Sequence, residues 1–138
     1  MNNNNFVKGC VFGIALATSI TAVNAGHHES LMPPAKPGQI VVTYQGTCPA
    51  AAIDSTIEKV KEIIAYERAN SPVLYASSPG VWSDGKIGAV DIHESTEAMA
   101  KAFAWQAADK KWSDGYAGIA ASCGITVDDF VVSMFEAR

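Results

Sequence analysis

The sequence predicts an α+β fold: four strands and two helical regions in the order βαββαβ, one antiparallel sheet with the helices on one face. Three stretches predict it. Ile40-Val41-Val42-Thr43-Tyr44-Gln45 is dense in β-branched residues, as a strand is. Ile53, Ile57, Val60 and Ile64 recur at the spacing of one helix face. The run Val90-Asp91-Ile92-His93-Glu94-Ser95-Thr96-Glu97-Ala98 passes from strand alternation, through a cap, into a helix start.

Residues 1–25 read as a secretory signal peptide. Lys8 supplies the positive end, Val11 to Ala22 is apolar, and Val23-Asn24-Ala25 ends the segment on small residues. The apolar run is too short to span a bilayer as a helix; an uncleaved anchor is the alternative. Cys10 leaves with the peptide. Removing 25 of 138 residues leaves 113, enough for one domain with one core, and the loss of Lys8 takes the formal charge from −4 to −5. The expected location is periplasmic or secreted. Scattered charge without a basic patch excludes nucleic acid as a partner, and nothing in the mature part reads as membrane-bound.

Residues 26–39 form a flexible tail in which Pro33, Pro34 and Pro37 favour extended backbone. Cleavage after Ala25 would expose the terminus Gly26-His27-His28. A free amine with histidine at the third position offers Cu(II) or Ni(II) a square plane of nitrogens; a plain soluble terminus is the alternative.

The folded domain is expected over residues 40–138. After strand one, Pro49 suits a first helical position, while Ser55 with Glu58 offers a capping box, so the first helix starts at one or the other. Glu58, Lys59, Glu62 and Glu67 read as its solvated face. Asn70-Ser71-Pro72 stops it. Val73 to Ala76 begins strand two, Ser78-Pro79-Gly80 interrupts it as a bulge or bend, and Val81-Trp82 continues it. Asp84-Gly85 is a turn and Lys86 to His93 is strand three. Ser95 caps helix two, from Thr96 to about Lys110. A break at Ser113-Asp114-Gly115 precedes a second helical piece ending at Ser122, capped by Gly124. Thr126 to Glu136 is strand four. The string Trp-Ser-Asp-Gly occurs at 82–85 and 112–115, in unlike contexts.

This order is the ferredoxin-like arrangement. There strand four lies antiparallel beside strand one, so the end of the first comes near the start of the fourth. Cys48 and Cys123, the two mature cysteines, sit at those places. In an oxidising compartment they form a disulfide; two buried thiols are the alternative. Strand four is apolar on both faces, Phe130, Val132 and Met134 on one and Val131 and Phe135 on the other, with Ser133 the polar exception. The face away from the helices therefore needs a cover, most simply a second copy of the chain.

With these elements in place, residues 40–138, and the Val90–Ala98 junction above all, resemble the dimeric α+β-barrel superfamily, in particular its antibiotic-biosynthesis-monooxygenase-like members. The resemblance implies a homodimer, a small-molecule ligand and, in some members, oxygenation of aromatic or quinol-type compounds without a cofactor. Other members degrade haem using a helix-two histidine, and no histidine follows His93 here. The expected function is that of an exported barrel protein binding a small aromatic or quinone-like molecule, with monooxygenase-like activity. A non-catalytic module of the same fold is the alternative, and copper binding by the terminus a remote one.

Candidate residues follow. Asp91 and His93 share one face of strand three, opposite Val90 and Ile92. If the apolar pair packs under the helices, the polar pair faces a partner chain. His93 titrates near neutrality and is the candidate base, with Asp91 beside it; a dimer-contact histidine is the alternative. Tyr44, Tyr75, Trp82 and Trp105, with Trp112, are candidate pocket aromatics, or simply core. No metal spacing, phosphate loop, Ser-His-Asp order or paired-cysteine motif is present, so no cofactor is expected.

Overall fold

The computed structural model describes residues 34–138. The expected signal peptide with Cys10, and the Gly26, His27 and His28 terminus, lie outside the described residues. Strand β1 is Ile40–Gly46, helix α1 Ile53–Asn70, β2 Ala76–Val81, β3 Ile87–His93, α2 Thr96–Ala108, α3 Lys110–Ser122 and β4 Val131–Glu136. The strands form one sheet in the order β2-β3-β1-β4, every neighbouring pair antiparallel. This is the ferredoxin-like βαββαβ arrangement, its second helix divided in two.

Local chemistry explains where elements begin and end. One turn of 3-10 helix, Ala50–Ala52, precedes α1, with Pro49 at its N-cap. That turn already presents carbonyls to the first residues of α1. Ser55 therefore lies inside the helix and donates to the Ala52 carbonyl at 3.0 Å, while Glu58 pairs with Lys61. The Ser55–Glu58 capping box does not form.

Strand β2 is displaced from its expected place. Val73 to Tyr75 is loop, and the strand runs unbroken through Pro79, which pairs with Ala89. β2 is an edge strand, so a missing N–H on its outer side costs no ladder bond and no bulge is needed. The turn to β3 is as expected: Gly85 takes φ +83°, and Trp82 N–H donates to the Lys86 carbonyl at 2.7 Å.

Ser95 caps α2, its hydroxyl accepting from Ala98 N–H at 3.2 Å. The break between α2 and α3 falls at Asp109, not at Ser113–Gly115. Asp109 N–H donates to the Trp105 carbonyl at 2.8 Å, closing α2, and its carboxylate accepts from Trp112 N–H at 2.8 Å, opening α3. One carboxylate at a helix start outweighs the modest cost of a glycine within a helix. Gly124, at φ +71°, ends α3. Thr126 and Asp129 then form a capping box on a short 3-10 turn, which delays β4 to Val131.

The helices pack on one face of the sheet. The core between them joins Val60, Ile64, Ile87, Ile119 and Phe130 to Cys48 and Cys123. Those two cysteines are bonded, with Cα atoms 4.4 Å apart and 75 residues between them in sequence. The bridge ties the approach to α1 to the end of α3, as the topology requires.

Because the bridge closes so long a loop, the double variant Cys48→Ala/Cys123→Ala is expected to lose roughly 2–4 kcal/mol. Equilibrium urea unfolding, with far-ultraviolet circular dichroism to show that the fold is kept, measures this.

Candidate functional site

The pairing of β1 with β3 sets Val42 opposite Asp91, Tyr44 opposite Ala89 and Ile40 opposite His93. All of these face the helices, and Asp91 and His93 are 3 % and 0 % exposed. This corrects the expectation that Val90 and Ile92 pack beneath the helices: the apolar pair is half-buried on the outer face. A polar pair can occupy the inner face because polar partners meet it there. Ser77, opposite Asp91 on β2, donates to the Asp91 carboxylate at 2.5 Å.

A second carboxylate comes from α1. Glu67 is 6 % exposed and accepts from the Trp112 indole N–H at 2.6 Å and from Gln106 Nε2 at 3.3 Å. Gln106 also donates to the Tyr75 hydroxyl at 3.0 Å. Between sheet and helices these groups line a chamber of about 40 Å³, open on one side, whose walls include Asp91, Glu67, Tyr44, Trp112, Tyr116 and Phe130. One wall is an aromatic stack: Trp112 on Tyr116, and Tyr116 on Phe130, each with ring centroids 5.0 Å apart. Tyr44 meets Tyr116 edge-on.

Burial controls the charge of this chamber. It pushes the Asp91 carboxyl up to about 7; the nearby Glu67 charge adds to the rise and the Ser77 hydrogen bond opposes it. Burial likewise holds Glu67 above the usual carboxylate range, against the hydrogen bonds from Trp112 and Gln106. The Tyr44 phenol is raised by burial and then by Asp91, and burial pushes Tyr116 up to about 12. Near neutrality Asp91 can both take and return a proton, beside phenols that keep theirs.

His93 stands apart from the chamber lining. It lies between Tyr75, 4.6 Å away between ring centroids, and the edge-on ring of Phe103 at 5.8 Å. Burial lowers its pKa, so the ring is neutral at physiological pH. Both its nitrogens, and the Tyr44 hydroxyl, are buried without a hydrogen-bond partner among the described residues.

The chamber gathers Asp91 and Tyr44 from the sequence candidates, and Trp112 with them. Tyr75 stacks on His93 and meets the chamber lining at Gln106 and Glu67. Trp82 lies on the outer face, its indole N–H directed at the Tyr44 carbonyl at 3.4 Å. Trp105 stacks on Tyr66, 6.1 Å between centroids, at the helix surface. Glu67 and Gln106 are the residues that sequence reasoning missed. The signal was present: Glu67 continues the apolar stripe of Val60 and Ile64, and Gln106 follows Ala102 by one helical turn.

No family model and no curated protein matches the chain. Among solved structures it is similar to a dimeric ferredoxin-like protein of unknown function from Jannaschia sp. CCS1, with 15 % identity and a TM-score of 0.56 over 72 % of this chain and 100 % of that one. It is also similar, at 15 % identity and a TM-score of 0.49, to a Caulobacter crescentus CB15 protein provisionally assigned as an antibiotic biosynthesis monooxygenase, over 74 % of this chain and 92 % of that one. The first likeness shows the fold. The chain is thus a ferredoxin-like α+β domain carrying two buried carboxylates at one small chamber.

The raised pKa of Asp91 has a stability consequence with a definite sign. Between about 4 and 7 the native state holds a proton that the unfolded state has released, so this group's contribution is full below pH 4 and is lost as pH rises through about 7. Asp91→Asn cannot ionise, and is expected to be more stable than the parent at pH 8 by on the order of 2–4 kcal/mol, with the difference shrinking towards pH 5. Urea titrations of both proteins across that range check it. Trp112→Phe keeps the ring stack but removes the donor to Glu67, and should cost about 1–3 kcal/mol by the same measurement.

Proposed function

We propose that this is an exported, homodimeric protein that receives a small phenol- or quinol-type molecule at the chamber between sheet and helices, with Asp91 as the acid–base group. The observation that carries this reading is the Asp91 carboxyl itself: 3 % exposed, pushed up to about 7 by burial, and lining one chamber with the Trp112–Tyr116–Phe130 stack. A flat guest extends such a stack. Ionised Asp91 takes the proton of the guest's hydroxyl, leaving the electron-rich anion in which quinols react with dioxygen without a metal. Glu67, held by Trp112 and Gln106, keeps Asp91 basic by its charge. This transfers the role of base from His93, which burial keeps neutral and which does not line the chamber, to Asp91.

At about 40 Å³ the chamber has room for a water or two. A ring enters only when the wall formed by Tyr44, Tyr116 and Phe130 gives way, and Tyr44 and Tyr116 are the half-buried members of the lining on that side. The same volume supports a second reading, a non-catalytic module in which the chamber stays shut. The homodimer is supported by the uncovered apolar faces of β4 and by the dimeric state of the Jannaschia protein. Export is supported by residues 1–25 and by the Cys48–Cys123 bridge. The copper site at Gly26, His27 and His28 depends on cleavage after Ala25.

The reading is tested by titrating hydroquinone and 1,4-naphthohydroquinone at pH 8, following tryptophan fluorescence and oxygen uptake. Saturable quenching with oxygen uptake above the uncatalysed rate, reduced at least tenfold in Asp91→Asn, is expected. Quenching without uptake selects the binding module. The absence of both signals overturns the ligand assignment.

A further inference from the structure

The chamber is acidic and its walls hold no counter-charge. Asp91 and Glu67, 3 % and 6 % exposed, both line it, and no lysine, arginine or histidine does. Arg68 follows Glu67 in the chain, but its guanidinium donates to the Ser77 carbonyl at 3.2 Å and stays out of the lining. A buried carboxylate is ordinarily paired with a cation or neutralised by a proton. The rise of Asp91 to about 7 is the second of these outcomes.

Each carboxylate is only half committed. Ser77 donates to Asp91 Oδ1, and Trp112 and Gln106 both donate to Glu67 Oε1. The Tyr44 and Tyr75 hydroxyls stand close enough to favour the charged forms of Asp91 and Glu67 respectively. Yet no hydrogen bond from the described residues ends on Asp91 Oδ2 or Glu67 Oε2. The Tyr44 hydroxyl, buried in the same lining, has no partner among them either. Two carboxylate oxygens and one phenol oxygen are thus left to a guest.

Their chemistry selects what it can be. A primary ammonium brings three N–H donors, a positive charge and no acceptor. Its head is about the size of a water, so the chamber of about 40 Å³ takes it with the walls where they stand. The Trp112–Tyr116–Phe130 stack adds aromatic surface, which attracts a cation. A quaternary ammonium has no N–H for the free oxygens. Calcium and magnesium take about six or more oxygens, and no group of three His, Cys, Asp or Glu side chains able to hold a metal occurs among the described residues.

We propose that the chamber seats the head of a primary ammonium compound, shared among Asp91 Oδ2, Glu67 Oε2 and the Tyr44 hydroxyl, with the rest of the molecule at the open side. This takes from the function proposed above only that a guest reaches the chamber. It requires neither oxidation nor proton transfer.

Benzylamine, protonated at neutral pH, is the probe, and benzyl alcohol its neutral match; tryptophan fluorescence and isothermal titration calorimetry read the binding. Saturable benzylamine binding, at least about tenfold tighter than that of the alcohol, is expected. Glu67→Gln and Asp91→Asn, each checked for folding by circular dichroism, are expected to weaken it by about tenfold or more. Should Glu67→Gln not fold, Asp91→Asn decides alone. Glu62→Gln removes an equal charge from the exposed face of α1 and is expected to leave binding within about twofold. No benzylamine binding, equal binding of the alcohol, or equal weakening by Glu62→Gln and Asp91→Asn overturns the ammonium seat. Hydroquinone titrated alongside separates the two readings. Binding of hydroquinone without benzylamine overturns the seat and leaves the proposed function; binding of benzylamine without hydroquinone does the reverse.

Discussion

The pairing of Val42 with Asp91 decides which face of the sheet carries the buried polar residues. Side chains alternate along a strand, so a slip of one residue between β1 and β3 would move Asp91 and His93 outward and bring Val90 and Ile92 in. Two constraints hold the register. The Asp84–Gly85 turn fixes β2 against β3, which puts Ser77 within reach of Asp91. The Cys48–Cys123 bridge holds the far end of β1 beside the end of α3, from which the chain passes to β4. Tyr44, Asp91 and the helix residues Glu67 and Trp112 meet because the register allows them to.

Two carboxylates buried on one side of a sheet work against stability. Each loses hydration, and the Glu67 charge further disfavours the ionisation of Asp91. A core built for stability alone would fill these positions with apolar side chains, as α1 does at Val60 and Ile64. Here the cost is met locally: Trp112 and Gln106 donate to Glu67, and Ser77 donates to Asp91. Three elements outside α1 and β3 thus supply hydrogen bonds whose effect is to keep two acids beneath the helices. Packing alone does not call for such an arrangement, which is why the two carboxylates carry the functional reading proposed above.

The architecture was legible in the sequence because local signals agreed with one another. Ser95 at the head of α2, the β-branched run of β1 and the glycine turn at Gly85 each specify an element without tertiary help. Boundaries failed where a neighbour intervened: Asp109 ended α2 early by capping α3, and an edge position let Pro79 remain inside β2. The site was half legible. Asp91 was singled out, but the usual rule of apolar inside and polar outside assigned it to the wrong face. Glu67 was taken for a solvated charge because it follows Glu58, Lys59 and Glu62, although its helical phase is that of Val60 and Ile64. Phase places a side chain and composition does not; for a single charged residue the two conflict, and only the waiting donors of Trp112 and Gln106 decide between them.

Strand β4 connects assembly to chemistry. Helices α1 and α2 lie over the β2–β3 side of the sheet. β4 therefore exposes Val131 and Phe135 on one face and Val132 and Met134 on the other, at a free edge. An apolar edge of this kind pairs indiscriminately unless something covers it. Tyr44 is the neighbour through which a cover would be felt. Its ring lines the chamber beside Asp91, its strand partner is Val132, and its carbonyl receives the Trp82 indole from the outer face. A partner that presses on Trp82 or β4 bears on the backbone of a residue that lines the chamber. One layer of sheet separates the outer face from the chamber, and Tyr44 belongs to both sides, its ring lining the chamber and its carbonyl accepting from Trp82.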